Sequence, residues 1–325
     1  MIPFARDLIW EPGEGSAVDR RLTGRAIYLL LVLGILILGL NWPIMAVGLR
    51  TLTPLWMGAF RVLGAAVMVI GIGLATGSMR IPPPRDLPVI VSLAVFRLAA
   101  VFFLVFTALQ LVPAGRSAVV VWTISLWTVP LAVIFLGEQM SRRRWLGLGI
   151  GISGVIVLFE PWGMAFDRPG VALGHGLLIL AAITDAATAV HIRAHRWTIT
   201  PIEALPWQLA GAAVVLTSLA LLIDGLPSIE WSAQLVGVVA YQSVLASGVS
   251  FVALVVVLRN LAAVSTNLTL MAVPVVGVVS SAIFLGEQVT VGLAVGLGLV
   301  LAGVAINLVS DLGGANRRPE LAQVI

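Results

Sequence analysis

Phe135-Leu136-Gly137-Glu138-Gln139 returns as Phe284-Leu285-Gly286-Glu287-Gln288, 149 residues further along a chain of 325. The same offset pairs Ala114 with Ala263, Gly147 with Gly296, Leu148 with Leu297, Gly149 with Gly298, Gly154 with Gly303 and Val155 with Val304. Over the 45 positions from Ala114 to Leu158 it yields 13 identities, too many in one register for shared apolar composition alone. The chain therefore reads as two copies of one unit, and a repeat of this kind governs every local assignment.

Hydrophobic residues make up 60% of the sequence and charged residues 10%, with a mean hydropathy of +1.09. Soluble domains carry about 25% charged residues. The composition is that of a membrane protein, and apolar runs long enough to cross a bilayer, about 20 residues each, fill the chain from Ile27 to Val309. With no cysteine, disulfides, thiolate metal sites and cysteine nucleophiles are excluded together. All 19 basic residues are arginines. They lie mostly near helix ends, which argues for orientation in a membrane rather than for nucleic acid.

The spacing predicts an all-α integral membrane fold of ten transmembrane helices. Residues 1-26 form a polar N-terminal tail, 27-160 a first five-helix unit, 170-310 a second, and 311-325 a polar C-terminal tail. Helix 3 follows the stiff Pro82-Pro83-Pro84 connector and starts near Pro88. Helix 4 covers Ala114 to Leu136. Gly137 ends it and Ser141 caps helix 5. Pro274 within helix 9 is matched by Ser125, with Pro130 five residues later, so helix 4 is expected to bend elsewhere than helix 9. Helices 5 and 10 carry glycine stripes, Gly147, Gly151 and Gly154 against Gly292, Gly296 and Gly303, that let backbones approach closely, within one chain or between two in a homodimer.

Fourteen arginines fall on the side of the N-terminus and three, Arg50, Arg116 and Arg168, on the other. The positive-inside rule then predicts both termini to be cytoplasmic. Five helices is an odd number, so the second unit enters the membrane inverted relative to the first. The loops agree, since Arg142-Arg143-Arg144 follows the first Gly-Glu-Gln and no base follows the second.

Arg97 and Asp185 are the residues most informative about chemistry. Both fall at mid-membrane, where a charge costs at least ~2.5 to 3.5 kcal/mol. In one reading Arg97 receives a substrate carboxylate and Asp185 an ammonium group or a proton; in the other the two neutralise each other as a structural pair, or either reaches water. Arg61, a turn or two inside the boundary of helix 2, is expected to snorkel to the headgroups. Glu138 and Glu287 each follow glycine at a helix end, where a structural, exposed role outweighs a proton relay, and Glu287 is placed to face the positive N-terminus of helix 10. Trp42, Trp122 and Tyr241 can line an apolar pocket or serve as filler and interfacial anchors. Asn41, Ser125, Gln242 and Asn267 can hydrogen-bond a substrate or bond between helices. Helix 8 carries Ser243, Ser247 and Ser250 on one face. His191 and His195 stand four apart without an evident third ligand, which argues against a metal. No cofactor is expected.

Two five-helix units, an alanine opening helices 4 and 9, closure in Phe-Leu-Gly-Glu-Gln and a following helix with Gly147/Gly154 or Gly296/Gly303 resemble the EamA-type branch of the drug/metabolite transporter superfamily, with the aromatic amino acid exporters as a plausible neighbour. The resemblance covers about residues 27 to 310. It implies a secondary exporter of amino acids or similar small metabolites in the bacterial inner membrane, working by alternating access through a cavity lined by helices 1, 3, 4, 6, 8 and 9. The partners so implied are a small-molecule substrate and the lipid bilayer. An intramembrane enzyme would need a motif such as Gly-X-Ser-X-Gly or His-Glu-X-X-His, and neither appears. A channel would more naturally show symmetric pore rings than one arginine and one aspartate on non-equivalent helices.

Overall fold

A computed structural model describes residues 24–75, 77, 79–138, 140–159, 170–195, 197–227, 229–260, 266 and 269–315. The expected tails before residue 24 and after residue 315, Gln139 and Asn267 lie outside the described residues.

The described residues contain helices and no strand. In chain order they are α1 (Gly24–Gly48), α2 (Pro54–Ala75), α3 (Leu87–Leu109), α4 (Ala114–Leu136), α5 (Arg142–Phe159), α6 (Val171–Ala194), α7 (Pro201–Ile223), α8 (Ala233–Ala240 continued by Tyr241–Val249 and Ser250–Asn260), α9 (Ala272–Leu285) and α10 (Val291–Ala315). Eight of these, all but α5 and α9, are long and apolar enough to cross a membrane. This is an all-helical, multi-pass membrane protein. Its exposed surface carries large apolar side chains such as Leu29, Val67, Leu222, Phe135 and Phe284, as a lipid-facing surface requires.

Local chemistry sets the helix ends. Thr200 opens α7 with a capping box: its hydroxyl accepts from the Glu203 N–H while the Glu203 carboxylate accepts from the Thr200 N–H at 2.8 Å. Thr53 plays the matching part for α2, accepting from the Trp56 N–H at 3.3 Å. Ser141 and Thr290 cap α5 and α10 through the N–H groups of Arg144 and Leu293. Gly137 and Gly286 end α4 and α9 with φ of 67° and 69°, the left-handed conformation that suits glycine.

Two regularities go beyond single helix ends. Both α3 and α8 loosen into π-helical turns, at Leu93–Ala100 and Tyr241–Val249, and the 149 offset maps the first onto Gln242–Val249. A turn at Trp122–Thr123 interrupts α4, and one at Met271 immediately precedes α9, again 149 apart. This corrects the expectation that helix 4 bends elsewhere than helix 9. Pro130 sits inside a continuous helix, while Ser125 and Pro274 both lie within the first turn after the break, where a proline forfeits no established hydrogen bond.

The main packing pairs are α5 with α10, α2 with α7, α1 with α9, α4 with α6, α3 with α6, α4 with α9, α3 with α7, α2 with α8 and α1 with α8. Exchanging each helix for the one five places along returns the same set of pairs. The α5–α10 seam is built on glycine. A Cβ on Gly147 would stand 2.8 Å from the Gly303 carbonyl oxygen, and one on Gly154 would stand 2.9 Å from that of Gly296. The glycine stripes are thus consumed within the chain, and α5 and α10 run antiparallel along them. The largest core cluster joins α1, α2, α3 and α7 around Met57, Val62, Phe106, Leu209 and Leu216.

Candidate functional site

The charged and polar residues singled out in the sequence separate into three places. The first is the ion pair of Arg97 on α3 and Asp185 on α6, Nε to Oδ1 3.2 Å. Both stand near the middle of their spans. The side chain of Arg97 keeps 41% of its surface exposed and that of Asp185 22%. Each offsets part of the other's charge, which reduces the cost of placing either alone at that depth.

The second place lies among α1, α2, α3 and α8 and was not legible as a site in the sequence. Arg61 does not snorkel: only 5% of the residue is exposed. Its Nε donates to Ser247 Oγ at 2.9 Å and its Nη1 to Gln242 Oε1 at 2.8 Å, with Met45 Sδ 3.5 Å from Nη1. The guanidinium carbon stands 4.3 Å from the centroid of the Phe102 ring, within cation–π range. Asn41 joins the cluster through Met45, its Nδ2 donating to Sδ at 3.3 Å. The depth of Arg61, seven residues or about 10 Å along α2 from Pro54, was consistent with snorkelling, but its side of the helix was not known. Arg61 faces α8, and the π turn there is what places Gln242 and Ser247 together. In an α-helix residues five apart diverge by about 140°, whereas i→i+5 bonding brings them to one side. The three serines of α8 also part company: Ser243 donates to the Phe60 carbonyl and Ser250 to that of Leu245.

The third place is a small cleft of about 50 Å³ at the break in α4, lined by Trp122 and Ser125 together with Leu270, Met271 and Pro274 from the α9 side and Val300, Leu301, Val304 and Leu308 from α10. Of the remaining candidates, Trp42 is buried in the core, and its ring is what a Cβ on Gly277 of α9 would strike at 3.0 Å. The Tyr241 hydroxyl donates to the Ile37 carbonyl at 2.7 Å.

The repeated glutamates are half-buried and differently engaged. Glu287 does not face the N-terminus of α10, which Thr290 caps. Its two carboxylate oxygens instead accept from the N–H groups of Ala114 and Gly115 at 2.7 and 2.8 Å, capping α4, where a carboxylate meets both unsatisfied donors and the positive end of the helix. Glu138 pairs with Arg144 at 3.4 Å and with Arg193 at the end of α6.

At the end of the molecule that holds the α6–α7 junction, Asp86 is wholly buried at the start of α3. It accepts from the Thr198 hydroxyl, from the N–H groups of Thr198 and Ile199 at 3.1 and 3.2 Å, and from His195 Nε2 at 2.9 Å. Burial works to raise its pKa, but the hydrogen bonds from Thr198 and His195 outweigh burial and hold the carboxyl below its ordinary value. His191 Nδ1 lies 3.0 Å from Ser92 Oγ, so the two histidines face different partners.

Comparison with known proteins agrees with this architecture. The model of a family described as the EamA-like transporter family matches residues 25–160 and 172–309. A Bacillus subtilis protein named uncharacterized transporter YoaV is 25% identical over 273 residues, covering 84% of this chain and 93% of that protein. A Streptantibioticus cattleyicolor protein named probable terminal-alkyne amino-acid exporter is 27% identical over 250 residues, covering 74% of this chain and 80% of its own length. A solved crystal structure shares the fold with a TM-score of 0.61 at 20% identity, covering 86% of this chain and 96% of the other.

Proposed function

The chain belongs to the EamA-like transporter family, and from that premise we propose that it is a secondary transporter exporting amino acids or similar small metabolites across the bacterial inner membrane by alternating access. In this reading the ten helices all span, residues 27-160 and 170-310 are two inverted repeats, and both termini are cytoplasmic. The helix pairs that survive exchange of the halves, and the antiparallel glycine contacts of α5 and α10, support the inversion. Exchange of conformation between inverted halves is a frequent route to alternating access.

The observation that carries the reading is the Arg97–Asp185 pair. A purely structural pair at mid-membrane would be sealed, yet Arg97 keeps two-fifths of its side chain open. A guanidinium facing hydrocarbon at that depth is costly, so the open side belongs to a water-lined path. Asp185 then takes a proton or a substrate ammonium in the cycle, with Arg97 as the group that each of these displaces. The amino-acid class is supported by the name of the Streptantibioticus relative.

The test is counterflow in proteoliposomes loaded with a panel of amino acids, with and without a proton gradient, comparing wild type with Asp185→Asn and Arg97→Ala. Wild type is expected to exchange one amino-acid class, and Asp185→Asn to lose at least tenfold in rate while remaining folded. Wild-type rates in Asp185→Asn would remove the pair from the mechanism, and silence across the panel would remove the amino-acid class.

A further inference from the structure

Arg61 differs from Arg97 in one respect: its charge is not answered. Its hydrogen-bond partners, Ser247 and Gln242, are neutral, as are Met45 and Phe102 beside it. Among the described residues no carboxylate pairs with it. A buried charge held only by neutral groups is costly unless another charge completes it.

Two further groups in the cluster are incomplete. Gln242 is wholly buried and its Nε2 has no partner; Asn41 is 6% exposed and its Oδ1 has none. Both belong to one constellation, because Asn41 Nδ2 and Arg61 Nη1 share the sulfur of Met45. Buried polar atoms are normally satisfied, and those that are not call for an explanation. What is left over is a guanidinium charge without a counter-charge and an amide nitrogen donor, beside a single carbonyl acceptor.

That set selects a ligand chemistry. A carboxylate accepts from Arg61 and Gln242 and neutralises the guanidinium. An ammonium group on the same ligand donates to Asn41 Oδ1. A halide would leave Asn41 unanswered, and a phosphate dianion would bring more negative charge than one arginine offsets. We propose that Arg61, Gln242 and Asn41 form a binding site for the head group of a free α-amino acid, its carboxylate on Arg61 and Gln242 and its ammonium on Asn41. This rests on the amino-acid reading above and assigns the substrate head group to Arg61 and Asn41 rather than to Arg97 and Asp185, which leaves Asp185 the proton. The site is shut in this structure. The oxygens of Gln242 and Ser247 hold two of the guanidinium's donors, and an arriving carboxylate takes their place while Gln242 Nε2 stays to donate to it.

The amino acid giving the fastest counterflow in the panel serves as the probe, alongside its carboxamide and its des-amino acid. Wild type is expected to move the amino acid at least tenfold faster than either analogue. Arg61→Gln, which keeps hydrogen bonding without the charge, is expected to bring amino acid and carboxamide within twofold of each other. Asn41→Leu is expected to do the same for the amino acid and its des-amino analogue while the carboxamide stays rejected. A merely structural arginine predicts that all rates fall together with the ratios preserved, and that result overturns the proposal. Should Arg61→Gln fail to fold, Asn41→Leu decides: a collapsed amino to des-amino ratio upholds the site and an unchanged one overturns it. A wild type that moves no amino acid overturns the reading on which the site rests.

Discussion

Asp86 and Glu287 are two carboxylates that the fold uses as receivers of backbone N–H groups, and neither task is visible in the residues that flank them. Glu287 reaches back 172 residues to Gly115, and a Cβ at Gly115 would stand only 3.2 Å from it. Asp86 gathers four donors from the α6–α7 junction. Because its folded pKa lies below the unfolded value of about 3.9, the folded state binds fewer protons between the two. Its contribution to stability is therefore fully present above about pH 5 and is lost as the pH falls through the folded value. Thermal midpoints of the purified protein from pH 7 to pH 3 are expected to show Asp86→Asn below wild type at neutral pH, with the gap closing on acidification. A gap independent of pH would mean that the carboxylate's charge is not what holds the junction. Of the site residues, Arg97 and Asp185 were legible because composition alone makes a mid-membrane charge conspicuous. Arg61 was misjudged because depth along a helix is countable from sequence, whereas the face it presents depends on where its neighbours pack.

At the scale of helices, the repeat register predicted more than the local residues did. Pro130 and Ser125 pointed to different bends in helices 4 and 9, yet the turns at Trp122–Thr123 and Met271 fall at equivalent positions. Propensity is a weak guide where two copies pack against the same kind of surroundings. The π turns in α3 and α8 could not be read from periodicity, since i→i+5 bonding shifts the phase of every side chain after it. The glycine seam was legible as a stripe, but whether it served one chain or two was settled only by geometry. Gly303→Ala places a Cβ 2.5 Å from the Gly147 carbonyl oxygen and the Gly151 nitrogen, and backbone atoms cannot rotate away. A loss of about 1–3 kcal/mol is expected. Gly298→Ala, in the same helix with nothing within 4 Å, is expected to be neutral or to gain about 0.5–1 kcal/mol from the lower backbone entropy of alanine. Thermal midpoints in one detergent compare the two, and equal losses would show that the seam does not depend on close approach.

For the molecule as a whole, the proposed inversion places the two Gly-Glu-Gln loops on opposite faces of the membrane. The natural absence of cysteine makes this directly measurable. Ser141→Cys and Val289→Cys, both at exposed positions, each introduce a single thiol. In intact cells a membrane-impermeant maleimide is expected to label the second and not the first, with both labelled after lysis. Labelling of both, or of Ser141→Cys alone, would overturn the predicted orientation. The family and the helical fold were accessible from the sequence because they rest on repetition and apolarity. The grouping of Asn41, Arg61 and Gln242 was not, because it joins helices that lie up to 201 positions apart in the chain.

Three helix pairs, α5 with α10, α2 with α7 and α4 with α9, map onto themselves when the halves are exchanged, while every other pairing maps onto a different one. On the proposed cycle the first three behave as a bearing and the rest trade places. The molecule is then a balance with two pans of nearly the same make. What tips it is whatever the copies do not share: an arginine clasp on Glu138 in one pan and a helix cap on Glu287 in the other. The rest position of such a balance is set by a handful of side chains rather than by the bulk of the fold, so selection can reset it without rebuilding the machine.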